Sequence, residues 1–125
     1  MNHSKIHLLK LGRSAMKLIA SGRQTVEGRL TSKRLHAIEV DDILSFNEGA
    51  LLVRVTRITN YSTFREMVCA ETPAALGEKA DDIEAAIRSY RKIYWYPDAE
   101  KKGCIAFAIQ LCDMSLSQTP TQTHF

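Results

Sequence analysis

The sequence predicts a single α+β domain, a small antiparallel or mixed β-barrel with helices packed on its outside. The first observation is that 125 residues, 45% of them hydrophobic and 25% charged, are typical of one soluble globular domain. The second is the order of the apolar patterns, which runs strand, helix, strand, strand hairpin, helix, helix, strand. Short strands with few helices between them do not fit parallel βαβ winding, whereas they suit a small barrel.

The first third of the chain alternates between strand and helix patterns. Met16, Ile19 and Ala20 form the apolar stripe of a helix, and Gly22 suits the left-handed conformation that ends many helices. The predicted elements are a strand over Ile6–Leu11, a helix over Arg13–Ser21, a strand over Thr25–Leu30 and a basic loop over Thr31–His36.

The remainder predicts a hairpin, two helices and a last strand. Asn47-Glu48-Gly49 separates two apolar runs and is typical of a hairpin turn. Thr63 and Asp82 each precede a helical apolar pattern and are candidate caps. The predicted elements are turn plus strand over Ile38–Phe46, a strand over Leu51–Thr59, a helix from Thr63, a loop over Glu71–Lys79, a helix from Asp81 and a strand over Gly103–Leu111. The apolar stripe of the helix from Asp81 is Ile83, Ala86, Ile87 and Tyr90. The predicted core face of the last strand is Ile105, Phe107, Ile109 and Leu111.

Several classes of protein are excluded by composition. Cys69, Cys104 and Cys112 are odd in number and lack paired-ligand spacing, which favours reduced thiols over disulfides or zinc. The histidines are scattered, so we expect no metal and no cofactor. No apolar run approaches the ~20 residues that span a bilayer, and the N-terminus lacks the layout of a signal peptide. We expect a cytoplasmic protein without membrane association, a domain over 1–112 and a disordered tail over 113–125.

Positive charge is concentrated at the start of the chain. Residues 1–34 hold eight basic residues and one acidic residue, a net charge of +7, although the whole chain carries only +3. Such a basic end is a candidate footprint for a phosphate-bearing ligand. The alternative is a solvated cationic face that binds nothing.

The most distinctive stretch follows the first predicted helix, Ser21-Gly22-Arg23-Gln24-Thr25-Val26-Glu27-Gly28-Arg29-Leu30. Thr25, Glu27 and Arg29 fall at spacing two, so their side chains share one face of the predicted strand. Val26 and Leu30 take the other face and are predicted to be core. A hydroxyl, a carboxylate and a guanidinium side by side predict the polar floor of a pocket or groove. Gly28 indicates a bulge or a close approach of another element.

This stretch resembles the signature of the ASCH domain family, roughly Gly-x-Lys-Thr-x-Glu-x-Arg. The resemblance covers about residues 5–111 in order. Other matching segments are His7-Leu8-Leu9-Lys10, Ile38 to Phe46, Tyr61-Ser62-Thr63-Phe64-Arg65-Glu66-Met67, and Tyr94 to Ala108.

The resemblance implies a PUA-like β-barrel of about five or six strands with two to three flanking helices. It also implies RNA binding along the signature strand. One branch is similar to amidohydrolases that deacetylate acetylated cytidine with a Lys, a Thr and a Glu, and other members are associated with ribonuclease activity. Here Gln24 stands at the Lys position and Glu27 at the Thr position, while Glu78 is a candidate for the Glu. Gln24 cannot exchange a proton, which favours binding over hydrolysis.

Each residue of the predicted groove has a binding interpretation and a structural one. Arg29 forks onto a phosphate or base edge, or pairs with Glu27 within the chain. Because Arg29 is expected to lower the pKa of Glu27, Glu27 is a weak candidate for a general base. Thr25 is a candidate donor, although threonine is also common in strands. Gln24, expected in an exposed turn, reads a base edge or binds nothing.

The phosphate contacts are predicted from the basic cluster as a whole. Its further members are Lys10, Arg23, Lys33 and Arg34. Tyr94, Trp95 and Tyr96 either stack on bases or pack against the last strand.

The residues and the resemblance are compatible with three functions. The favoured one is an RNA- or nucleotide-binding module with a basic groove along residues 22–34. The second is a small hydrolase acting on a modified nucleoside or RNA, with Glu27 or Glu78 as its base and Lys10 or Arg29 steadying negative charge. The third is a protein-interaction domain.

Overall fold

The part of the chain that the structure describes holds five strands and four α-helices. The computed structural model describes residues 4–112, and the predicted tail lies outside the described residues. The strands are β1 (Ile6–Leu9), β2 (Val26–Leu30), β3 (Ile43–Phe46), β4 (Leu51–Tyr61) and β5 (Cys104–Leu111). The helices are α1 (Arg13–Ala20), α2 (Lys33–His36), α3 (Phe64–Glu71) and α4 (Ile83–Ile93), and a 3-10 turn at Ala99–Lys102 precedes β5.

The strands form one curled mixed sheet, a half-barrel. Their order is β1-β3-β4-β5-β2, so β1 and β2 are the two edges. β1 pairs with β3 in parallel, and the other pairs are antiparallel. The predicted α+β class with a small mixed barrel is therefore confirmed. Four α-helices flank the sheet, where two to three were expected.

The core has two layers, with the sheet between them. On β5, Ile105 and Phe107 pack in the layer that α1 and α2 help to close, whereas Cys104 and Ala106 pack against α3 and α4. The alternation of β5 predicted one buried face, but both are buried because helices cover each side. Leu111, expected in the core, is exposed where the strand ends.

The interpretation of 31–36 as a loop was wrong, because α2 forms there. The Ser32 hydroxyl accepts a hydrogen bond from the Leu35 N–H at 3.2 Å and caps the helix. Leu35 is buried in the core. One cap and one apolar anchor hold this single turn, and the many basic residues of the segment hid the pattern.

The predicted helix starts are confirmed. Thr63 accepts from the Glu66 N–H, and Asp82 accepts from the Ala85 N–H, both at 3.1 Å. On α4 the predicted apolar stripe is buried except for its first member, Ile83, which is exposed.

The hairpin between β3 and β4 is also confirmed, and its turn positions the start of α1. Asn47, Glu48 and Gly49 all have positive φ, as such a turn requires. The Asn47 side chain accepts from the Leu11 N–H at 2.9 Å and donates to the Leu11 carbonyl at 2.8 Å. The turn therefore holds the segment that leads from β1 into α1.

Candidate functional site

A cleft of about 590 Å³ opens between the first turn of α1, strand β2, the loop before α4, and α4 itself. We call it the main cleft. Apolar residues such as Leu18 and Leu76 contribute to its walls. Its polar lining is Lys10, Arg13, Ser14, Gln24, Glu27, Arg29, Glu78, Ser89, Tyr90 and Tyr94.

The floor of the main cleft is a hydrogen-bonded chain around Glu27. Arg29 Nε donates to Glu27 Oε2 at 2.8 Å, and Gln24 Nε2 donates to Glu27 Oε1 at 3.1 Å. Arg29 Nη2 also donates to the Lys10 carbonyl at 2.5 Å, which ties the edge strand β2 to the end of β1. The predicted pairing of Arg29 with Glu27 is thus present. Arg29 closes the open side of the half-barrel as well.

The expected lowering of the Glu27 pKa was wrong. Burial raises the pKa of Glu27. The positive charge of Arg29 and the hydrogen bonds from Arg29 and Gln24 lower it, but they do not cancel the rise. Glu27 is only 8% exposed, so loss of hydration is the larger effect. A carboxyl group that holds its proton to higher pH can donate as well as accept a hydrogen bond.

Gln24 is buried rather than exposed in a turn, with 5% of its surface accessible. Its amide Nε2 donates to the Val26 carbonyl at 3.0 Å as well as to Glu27. The Gly77 backbone covers it so closely that a Cβ on Gly77 would lie 2.4 Å from Gln24 Oε1. Since its donors are used within the protein, Gln24 shapes the floor and does not read a base with its amide N–H groups.

The opposite wall carries a second carboxylate and a buried phenol. The Ser89 hydroxyl donates to Glu78 Oε1 at 3.0 Å. Burial raises the pKa of Tyr90, and the carboxylates of Glu27 and Glu78 add to that rise. Tyr90 therefore stays neutral and keeps its O–H as a donor. The Tyr90 hydroxyl lies 2.8 Å from where a Cβ on Gly28 would be. Of the two predictions for Gly28, a bulge or a close approach of another element, the close approach is therefore present.

Beside the main cleft lies a basic recess of about 700 Å³, which we call the side recess. The two share Lys10 and Arg29, and the side recess adds Arg34. Arg34 Nη2 donates to the Leu8 carbonyl, a second bridge onto β1. Arg23 and Lys33 are exposed and line neither the main cleft nor the side recess.

Thr25 does not share the floor with Glu27 and Arg29. It precedes β2, is exposed, and lines a separate recess that also contains Ile19 and Leu111. Thr25 still lies opposite Ile109, whose N–H donates to the Thr25 carbonyl at 3.0 Å, just as Glu27 lies opposite Phe107. It therefore continues the face of Glu27 and Arg29, but beyond the end of the main cleft.

Tyr94 lines the main cleft at the end of α4 and is partly buried. Its ring stacks on Phe64, with centroids 5.7 Å apart and planes inclined by 23°. Trp95 and Tyr96, which follow, are exposed. The packing interpretation is thus confirmed for Tyr94, which packs against the core cluster that contains Cys104 and Ala106 of β5, whereas its two neighbours face solvent.

Within residues 4–112, no three His, Cys, Asp or Glu side chains gather in a group able to hold a metal ion. No helix in the same range has the length and apolar character needed to cross a membrane.

Comparison with known proteins then decides the family. The sequence pattern of the ASCH domain matches residues 9–110. The chain belongs to the ASCH domain family. The match runs from the last residue of β1 to the last but one of β5, so it includes every residue of the main cleft.

Solved structures agree with this ASCH assignment. The crystal structure of hypothetical protein PH0355 is 30% identical, with a TM-score of 0.78 over 86% of this chain and 99% of that one. Protein PF0455 from Pyrococcus furiosus is 30% identical, with a TM-score of 0.68 over 86% and 98%. An ASCH protein from Zymomonas mobilis is 13% identical, with a TM-score of 0.56 over 85% and 67%, which shows the fold alone. Curated proteins gave no match.

Sequence reasoning found part of this ASCH cleft and missed the rest. The structure brings together six predicted residues, namely Lys10, Gln24, Glu27, Arg29, Glu78 and Tyr94. It also brings in Arg13, Ser14, Ser89 and Tyr90, which were not predicted as site residues. Helical spacing puts Ser89 and Tyr90 on α4, but only the tertiary structure shows that they line the same cleft as Glu27.

Proposed function

We propose that this ASCH domain binds RNA, with one nucleoside unit in the main cleft and phosphates along its rim and in the side recess. The observation that carries the proposal is the cleft itself, which joins a buried polar floor, two tyrosines and a rim of cations in about 590 Å³. The ASCH family is generally RNA-binding in character, which supports the same conclusion.

The phosphate contacts are best assigned to Lys10 and Arg13. Within residues 4–112, neither cation forms an ion pair, so both charges remain available at the rim. Arg29, in contrast, already binds Glu27 and the Lys10 carbonyl. Phosphate contacts supply most of the affinity for a nucleic acid and make that affinity sensitive to salt.

The nucleoside contacts are assigned to the opposite wall. Tyr90 supplies a neutral hydroxyl, and Glu78 supplies a carboxylate that can accept from a base amino group or a ribose hydroxyl. Tyr94 offers a ring already held by Phe64. These groups surround the ligand while Gln24, Glu27 and Arg29 hold the floor beneath it.

The test compares two cations on one helix. Arg13 lines the main cleft, whereas Lys17 is exposed on α1 and does not line it. Binding of labelled single-stranded and hairpin RNA is measured by fluorescence anisotropy at several salt concentrations for Arg13→Gln and Lys17→Gln. We expect Arg13→Gln to weaken binding and to reduce the slope of log K against log salt by about 1. Lys17→Gln keeps the slope of the original protein.

Two results overturn this proposal. One is the absence of binding to either RNA at low salt. The other is an equal effect of the two substitutions, which would mean that binding follows net charge and not the cleft.

A hydrolase acting on a modified nucleoside or on RNA is the second candidate. The observation that favours it is the presence of Glu27 and Glu78 in one cleft, with burial raising the pKa of Glu27 toward the range of a general acid or base. N-acylated nucleosides and RNA are incubated with the protein, and products are identified by mass spectrometry. Turnover that disappears in folded Glu27→Gln or Glu78→Gln supports hydrolysis. If neither substrate yields a product, the hydrolase candidate is refuted.

A further inference from the structure

Two large aromatic side chains are exposed directly after α4. Trp95 is 77% exposed and Tyr96 is 47% exposed. Their ring centroids lie 6.2 Å apart with planes at 80°, so the two rings form one edge-to-face pair. We call this pair the aromatic shelf. An exposed pair of this kind offers ring surface to a ligand at little conformational cost.

The aromatic shelf borders a second cleft of about 630 Å³, which meets the main cleft at Tyr94. Tyr94 lines both. Because its ring is stacked on Phe64, Tyr94 is a fixed boundary between the two clefts. A ligand that fills the main cleft and continues past Tyr94 therefore reaches the aromatic shelf.

The second cleft is lined by two cations, Arg91 and Lys101, and by two acids, Asp98 and Glu100. Glu100 is engaged within the protein, since Oε1 accepts from the Phe64 N–H at 2.5 Å and Oε2 lies 3.6 Å from Arg91. Lys101 lines the same cleft, and within residues 4–112 it forms no ion pair. Asp98 is the other acid of the lining. Lys101 is therefore placed to meet a phosphate next to the rings.

We propose that the aromatic shelf is a base-stacking subsite, so that the ligand is single-stranded RNA of at least two nucleotides and not a free nucleoside. One nucleoside occupies the main cleft, and the base of the next stacks on Trp95, the more exposed ring of the pair. This inference rests on the proposed function, because it extends the same site. Stacking tolerates every base, since each has a π-face, so the subsite adds affinity with little sequence selectivity.

Trp95 is the one tryptophan of the chain, so its fluorescence reports on the shelf directly. The original protein is titrated with an unlabelled single-stranded tetranucleotide while tryptophan emission is followed, and affinity is measured in parallel by anisotropy with a labelled copy. We expect quenching that saturates together with the anisotropy signal. Trp95→Ala is expected to weaken tetranucleotide binding about fivefold to hundredfold, whereas Trp95→Phe retains most of the affinity.

Ile6→Ala is the matched control, because Ile6 is a large, 66% exposed apolar residue on β1 and lines neither cleft. It should leave the affinity unchanged. If the tetranucleotide binds in an Arg13-dependent way, but emission is unchanged and Trp95→Ala binds normally, the shelf proposal is overturned and the proposed function stands. The shelf would then serve another class of ligand, such as a protein. If no binding occurs at low salt by either readout, the RNA function and the shelf fail together.

Discussion

Replacing Gly77 with alanine should destabilise the protein through Gln24, and the structure provides the means to separate that effect from backbone strain. Gly77 has φ +85°, where an L side chain is strained, and its Cβ would lie 2.4 Å from Gln24 Oε1 and 2.8 Å from Gln24 Cδ. Gly49 has nearly the same φ, +87°, but a Cβ there would meet nothing within 4 Å. Gly49→Ala therefore measures the backbone strain alone.

The size of the effect follows from the contacts that Gln24 would lose. Left-handed backbone costs an alanine about 1–2 kcal/mol, which applies to both glycines. Displacing Gln24 also breaks its hydrogen bonds to Val26 and Glu27, each contributing about 0.5–1.5 kcal/mol. We expect Gly77→Ala to cost about 2–5 kcal/mol in the free energy of unfolding, at least twice the cost of Gly49→Ala.

The assay is urea unfolding monitored by circular dichroism. Gly77→Ala and Gly49→Ala are each made in the unsubstituted protein and in the Gln24→Ala variant. In the Gln24→Ala background, the clash at Gly77 is absent, so Gly77→Ala should cost only the backbone strain. The resulting coupling between the two positions is expected to be about 1–3 kcal/mol. Equal costs for Gly77→Ala and Gly49→Ala, or a coupling near zero, would show that Gln24 is not held beneath Gly77.

Two other predictions concern ionisable groups. Burial raises the folded-state pKa of Glu27, so folding takes up protons and this group's contribution to stability falls as pH rises above its unfolded pKa near 4.5. The measured quantity is the free energy of unfolding of the unsubstituted protein minus that of Glu27→Gln. This difference should decrease between pH 4 and 8, by about 1.4 kcal/mol for each pH unit by which folding raises the pKa of Glu27. An increase would mean that the effect of Arg29 on this pKa outweighs that of burial. Burial also raises the pKa of the Cys104 thiol to about 12, whereas Cys69 is exposed. Peptide mapping after brief alkylation should find Cys69 modified and Cys104 protected until urea unfolds the protein, and rapid modification of Cys104 in the folded state would contradict its burial.

The fold and part of the site could be predicted because they depend on short-range patterns. Caps such as Thr63 and Asp82 use atoms within three or four residues of the helix start, so their sequence alone specifies them. The signature from Gly22 to Arg29 is likewise local, and it was sufficient for the family and for the pairing of Glu27 with Arg29. The single turn of α2 was missed because its stabilising contact, the burial of Leu35, is tertiary.

What the sequence by itself determined is the family, the α+β class with a small mixed barrel, and the charged strand that borders the cleft. Only the tertiary structure decided which groups meet there. Tyr90 reaches the cleft from α4 and Glu78 from the loop before α4, and Gln24 is buried because the Gly77 backbone passes over it. The rise in the Glu27 pKa has the same origin. Loss of hydration depends on everything that surrounds a group, and a sequence shows only the neighbours along the chain.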